Sequence, residues 1–157
     1  MAGPTSTLQT EASLMRSLLT LLKQEQQHLV HADIDALNQL TPQKSQLVTQ
    51  MVQLARQRHQ ALGAVGMAAQ DAGMKAWFAQ HPDDSADLAQ WEDLLGLTRA
   101  TKEINRVNGM LLNKHMAQNQ KLLNAMRTPT NGVSNSFYGP SGQTASSSGA
   151  SRRHVLG

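Results

Sequence analysis

Leu8, Ala12, Met15, Leu18, Leu19, Leu22 and Leu29 recur along the first thirty residues at the spacing that lines one stripe of an α-helix. Arg16, Lys23, Gln24 and Gln27 fall on the opposite face. Near His31 the stripe loses phase, and Asp33 precedes Ile34, Leu37 and Leu40 as a cap or a local kink. Thr41-Pro42 is a second punctuation mark, with Thr as N-cap and Pro at the first helical position, so the pattern predicts one helix over 8–40 and another from 42. Leu47, Met51, Leu54 and Ala61 continue at steps of four, three and seven, a seam of helix against helix. Lys44 and Arg58 fall on that seam and are read as edge residues, stems on apolar neighbours and charged heads in water. Leu62-Gly63 closes the second helix.

Residues 63–84 hold three glycines and a His-Pro, which excludes a long helix and leaves room for a short one near 67–80, in a connector that folds back over the pair. Asp84 or Ser85 caps a third main helix over 86–126, stopped by Arg127-Thr128-Pro129. At about 1.5 Å per residue it is on the order of 60 Å long. Its seam runs through Leu88, Trp91, Leu94, Leu95 and Leu97, turns polar at Thr98, Thr101, Asn105 and Asn108, then becomes apolar again from Met110. A buried polar residue in such a seam costs stability and fixes register, which is the structural reading of Asn105 and Asn108.

The expected fold class is therefore all-α: an elongated antiparallel three-helix bundle, hairpin-like and coiled-coil-like, with a disordered C-terminal tail. Residues 1–127 form the helical domain in this reading. Residues 128–157 are a Ser/Gly-rich tail that contains Phe-Tyr-Gly and is too polar to offset its own ordering entropy. Composition agrees, because aromatics are few, Gln occurs seventeen times, and Leu, Ala and Met supply most of the apolar content.

The absence of cysteine excludes a disulfide framework and a thiolate zinc site. The first thirty residues lack a basic start followed by an unbroken apolar run, and no stretch approaches the ~20 apolar residues of a membrane span, so a cytoplasmic protein without stable membrane insertion is expected. Charge is uneven. Residues 1–103 carry eight Lys or Arg against all eleven acids, whereas Arg106, Lys114, Lys121, Arg127, Arg152 and Arg153 follow with no acid among them. A basic end attracts acidic partners, and charge alone does not choose among protein, membrane and nucleic acid.

His28 and His31 are three apart, yet two imidazoles without a carboxylate on the same face are read as surface histidines and not as metal ligands. Asp83-Asp84-Ser85 reads as helix capping. No phosphate loop, nucleophile turn or Walker-like lysine occurs, so neither an enzyme nor a cofactor is expected. The basic residues are too sparse, and aromatics too few, for a nucleic-acid surface. What exceeds the needs of a two-helix contact is the apolar content of the last helix. Leu111, Leu112, Met116, Leu122, Leu123 and Met126 cover more than one stripe. Such a Met/Leu surface suits a partner's amphipathic helix, and a broader core or a homodimer is the alternative.

Three segments carry a family resemblance. Glu25, Leu29, Asp33-Ile34-Asp35-Ala36-Leu37, Leu40, Lys44 and Leu47 resemble the N-terminal pattern of FlgN-type flagellar chaperones. Ile104-Asn105-Arg106-Val107-Asn108-Gly109-Met110-Leu111-Leu112 is similar to their Asn-rich third-helix motif, and Phe137-Tyr138-Gly139-Pro140-Ser141-Gly142-Gln143 to their terminal Tyr-Gly segment. The resemblance spans about residues 8–143. It implies a chaperone that holds hook–filament junction proteins of the FlgK and FlgL type by their C-terminal helices and delivers them to the flagellar type III export gate. In that family the C-terminal part binds substrate and a tail tyrosine contacts the gate, so the resemblance assigns gate contact to Tyr138, with Phe137 beside it. A FliT-like chaperone of the filament cap and a structural coiled-coil adaptor are the other readings.

Overall fold

The computed structural model describes residues 2–127. Four helices occupy them: α1 (Leu8–Val30), α2 (Ile34–Ala64), α3 (Asp71–Gln80) and α4 (Ser85–Met126), and no strand occurs among the described residues. The all-α class is as the periodicity predicts, with the short connector helix at 71–80 inside the 67–80 window. The predicted disordered tail over 128–157 lies outside the described residues.

The first helix ends ten residues earlier than predicted. Ala32, in the left-handed region at φ 52°, closes α1. Its N–H donates to Leu29 and that of Asp33 to His28, which satisfies two terminal carbonyls in the manner of a Schellman cap. Asp33 then serves the next helix, its side chain accepting from the Ala36 N–H at 3.1 Å. Thr41-Pro42 does not start a helix. Thr41 Oγ1 donates back to the Leu37 carbonyl, and Pro42 sits inside α2 on an exposed turn. The carbonyl that proline leaves without a donor belongs to exposed Asn38, where water can replace the missing bond.

The helix bundle is one compact unit, Met1–Asn119, and a second begins at Gln120. Pairs of contacting residues give its directions. Arg58 meets Glu11 and Lys44 meets Glu25, so α1 and α2 are antiparallel. Arg16 bonds Asp93 and Asn108 bonds the Leu22 carbonyl, so α4 returns parallel to α1. The core joins Leu8, Met15, Leu18 and Leu22 of α1 to Leu62, Met74, Phe78, Trp91 and Leu94. Leu21, which lies off the predicted stripe, is also buried, whereas Leu19 is only half-buried.

The connector earns its glycines at two places. Gly66, at φ +78°, ends α2, with the Met67 N–H donating to Leu62. Gly73 is buried where α3 crosses the preceding loop, and a Cβ there would stand 2.1 Å from the Ala68 carbonyl oxygen. Because the obstacle is backbone, relief requires moving the loop or tilting α3 off Leu62. Gly73→Ala is expected to lower stability by about 1–3 kcal/mol despite the better helix propensity of alanine. Urea denaturation followed by circular dichroism would check this, and an unchanged or raised midpoint would contradict it.

Candidate functional site

The polar patch in the α4 seam resolves into a cross-helix node. Asn108 is buried, and its Nδ2 donates to the Leu22 carbonyl at 2.9 Å and to Glu25 Oε1 at 3.0 Å. Lys44 Nζ donates to both Glu25 oxygens, at 3.3 and 3.1 Å. One carboxylate thus collects donors from α2 and α4 while sitting on α1, which fixes the three helices in register, the role expected of a buried Asn. Asn105, one turn earlier, is exposed and not part of that node. One turn beyond Leu112, His115 Nε2 hydrogen-bonds the Leu29 carbonyl at the C-terminal end of α1.

Arg58 departs most from the sequence reading. Its head is not in water: the residue is 4% exposed and its guanidinium grips Glu11 through Nε and Nη2 at 3.0 and 3.1 Å. Nη1 donates to Asp71 at 2.7 Å, and the guanidinium carbon lies 4.8 Å from the Trp91 ring centroid. Burial alone would push Arg58 towards neutrality, but the bonds and charges of Glu11 and Asp71 outweigh it and hold the guanidinium above its ordinary value. At Asp71 burial pulls upward, whereas hydrogen bonds from His59 and Arg58 win and hold the carboxyl below its ordinary value.

Among the residues singled out for partner binding, Leu111 is half-buried, whereas Leu112 and Met116 are 47% and 61% exposed on α4 within the first unit. Met110, which the reading of the surplus apolar face passed over, is 59% exposed. In the unit that begins at Gln120, the last turns of α4 carry Leu122, Leu123 and Met126, all exposed. Phe137 and Tyr138 lie outside the described residues. The structure adds a groove that the sequence reading missed. Its apolar centre is Leu29, Ile34, Leu37 and Leu112, contributed by three helices. Exposed Ile34, on the first turn of α2, was the signal available for it. Among the described residues no group of three or more metal-ligating side chains occurs, and no helix is long and apolar enough to cross a membrane.

Comparison with known proteins supplies the biological setting. The family model described as FlgN protein matches residues 1–146. The chain belongs to the FlgN family. The "Flagella synthesis protein FlgN" of Proteus mirabilis is 29% identical over 152 residues, covering 94% of this chain and 93% of the relative. The protein of the same name from Escherichia coli K12 is 26% identical over 140 residues, covering 85% and 84%. No solved structure matches the chain. FlgN proteins are flagellar synthesis chaperones, so the exposed Leu and Met side chains of this FlgN-family chain stand in a protein whose work is to bind other proteins.

Proposed function

We propose that the chain is a cytoplasmic flagellar export chaperone that holds hook–filament junction proteins of the FlgK and FlgL type by their C-terminal amphipathic helices and delivers them to the export gate. One observation carries the reading: α4 leaves Leu112, Met116, Leu122, Leu123 and Met126 between 47% and 72% exposed. So much apolar surface on one helix is costly unless another molecule covers it, and Met and Leu side chains adapt to a helix laid against them. Calorimetry of the purified chain against a synthetic C-terminal helix of a junction protein is the direct test. Micromolar or tighter binding is expected, and no heat at millimolar peptide would end the proposal.

Delivery is assigned to Tyr138, with Phe137 beside it, on the strength of family membership and of the place of this aromatic pair in an otherwise polar segment. Aromatic rings are inexpensive anchors, because large contact area comes with few torsions to fix. Tyr138→Ala is expected to leave thermal unfolding and junction-protein binding within error of wild type while reducing export and swimming. Wild-type affinity of this variant for the purified cytoplasmic domain of the gate, with and without a bound subunit, would remove the assignment.

A further inference from the structure

The groove between the start of α2 and the middle of α4 is built for one kind of occupant in one direction. Two lobes of about 420 and 220 Å³ share Leu29, Ile34, Leu37 and Leu112. Along α4 the wall runs from Asn105 to Asn119, which at ~1.5 Å per residue is about 21 Å, room for roughly four turns of a helix lying alongside. Around the apolar centre the lining is polar, with Asn38, Thr41 and Asn105 in the larger lobe and, in the smaller, Asn119 and His115, whose Nε2 is engaged with the Leu29 carbonyl. The charged side chains of the lining, Glu25 and Lys44, are engaged with each other and with Asn108. Inward-facing residues of an occupant are therefore apolar or uncharged, because a charge would be desolvated there without a free counter-charge.

The rims differ in sign from one end to the other. Lys102 is exposed one turn before Asn105, and Arg106 one turn before Gly109. Glu103 neutralises Arg106, leaving this end one positive charge in excess. At the far end Asp33 and Asp35 are exposed at the start of α2, beside Ile34 and Leu37. A bound helix presents a partial positive charge at its N-terminus and a partial negative one at its C-terminus, to which a chain-terminal carboxylate adds a full charge.

We infer that the groove receives an amphipathic C-terminal helix of the cargo with its N-terminal end at Asp33 and Asp35 and its terminal carboxylate at Lys102. The occupant runs parallel to α2 and antiparallel to α4. This rests on the reading above that the chain captures C-terminal helices, and it adds the seat and the polarity.

A benzophenone amino acid placed at Leu37, at Asn105 or at Leu123 of the full chain, irradiated with the synthetic junction-protein helix and mapped by mass spectrometry, tests both. Asn105 is expected to label the last turn or two of the peptide, and Leu37, which stands opposite Leu112, a segment about seven residues upstream. Reversed order, or labelling from position 123 with none from 37 or 105, overturns the groove inference while capture itself stands. Failure of the wild-type chain to bind in calorimetry removes capture and groove together. Amidating the peptide's C-terminus is expected to weaken binding to wild type about two- to fivefold at low salt and to leave Lys102→Glu binding unaffected. Equal weakening in both proteins would place the carboxylate elsewhere.

Discussion

Arg58→Ala is expected to destabilise the bundle by about 3–5 kcal/mol, the range for removing one partner of a buried ion pair. The reason is what remains behind. Glu11 is 5% exposed and would keep the Thr7 hydroxyl, at 2.7 Å, as its partner without the guanidinium. Trp91 would lose the cation above its ring, and α3 would lose the bond that ties Asp71 to α2. Arg58→Met with Glu11→Leu should recover much of the loss, because well-packed apolar replacements of a buried pair are often neutral. Urea unfolding of the single and double variants measures both effects, and a single-variant loss below about 1 kcal/mol would mean that the pair is solvated. The pH dependence has a definite sign. Asp71 has a folded pKa below its unfolded value, so its contribution is present above about 3.9 and is lost as pH falls through the folded value. Arg58, held above its ordinary value, stays charged throughout the accessible range. The Asp71 contribution thus weakens on the acid side, and Asp71→Asn should flatten that limb.

The helical content was legible because each long element repeats its apolar residues at three and four for many turns, and because Asp33 carries cap chemistry where α2 begins. Gly63, read as the end of α2, lies inside the helix, and the left-handed glycine beyond it is Gly66. The break after Val30 was harder to place. It is made by an alanine in the left-handed region, a residue that announces no turn, whereas Pro42 announces a break that the exposed side of α2 absorbs. Long-range polar pairing was not legible either. A seam position at 58 gives no hint that Glu11, 47 residues away, faces it across the core, so solvating the arginine was the simpler local account. Asn108 was readable as a register device because its place in an apolar seam is a local fact; that its partners are the Leu22 carbonyl and Glu25 is not. The exposed residues of α4 were legible as an excess, since more Leu and Met occur there than one stripe can hold. The groove was not, because Leu29, Ile34, Leu37 and Leu112 come together only after α1 and α2 turn back on each other.

Leu122→Asp combined with Leu123→Asp is expected to reduce capture of a junction-protein helix at least about 100-fold. Each substitution puts a carboxylate where an apolar contact is proposed. A well-buried apolar contact in an interface is commonly worth about 2 kcal/mol, and every 1.4 kcal/mol is tenfold, so two such losses more than reach that factor. The fold itself should survive, because both side chains are more than half exposed and surface changes rarely move stability far. A modest local cost comes from aspartate's weaker helix propensity and from negative charge near the C-terminal end of α4. Leu122→Gln with Leu123→Gln separates these effects, since it removes the apolar surface without adding charge. It should lose most of the affinity while keeping the wild-type helical signal. If the Asp pair stays folded by circular dichroism and binds the helix with unchanged affinity, the end of α4 is not where cargo is held. If the Asp pair loses binding and the Gln pair does not, the contact is a charge repulsion and not an apolar seat. Loss in both, with the bundle intact, is the result expected of a chaperone whose longest helix leaves its apolar side chains uncovered for another protein's helix to cover.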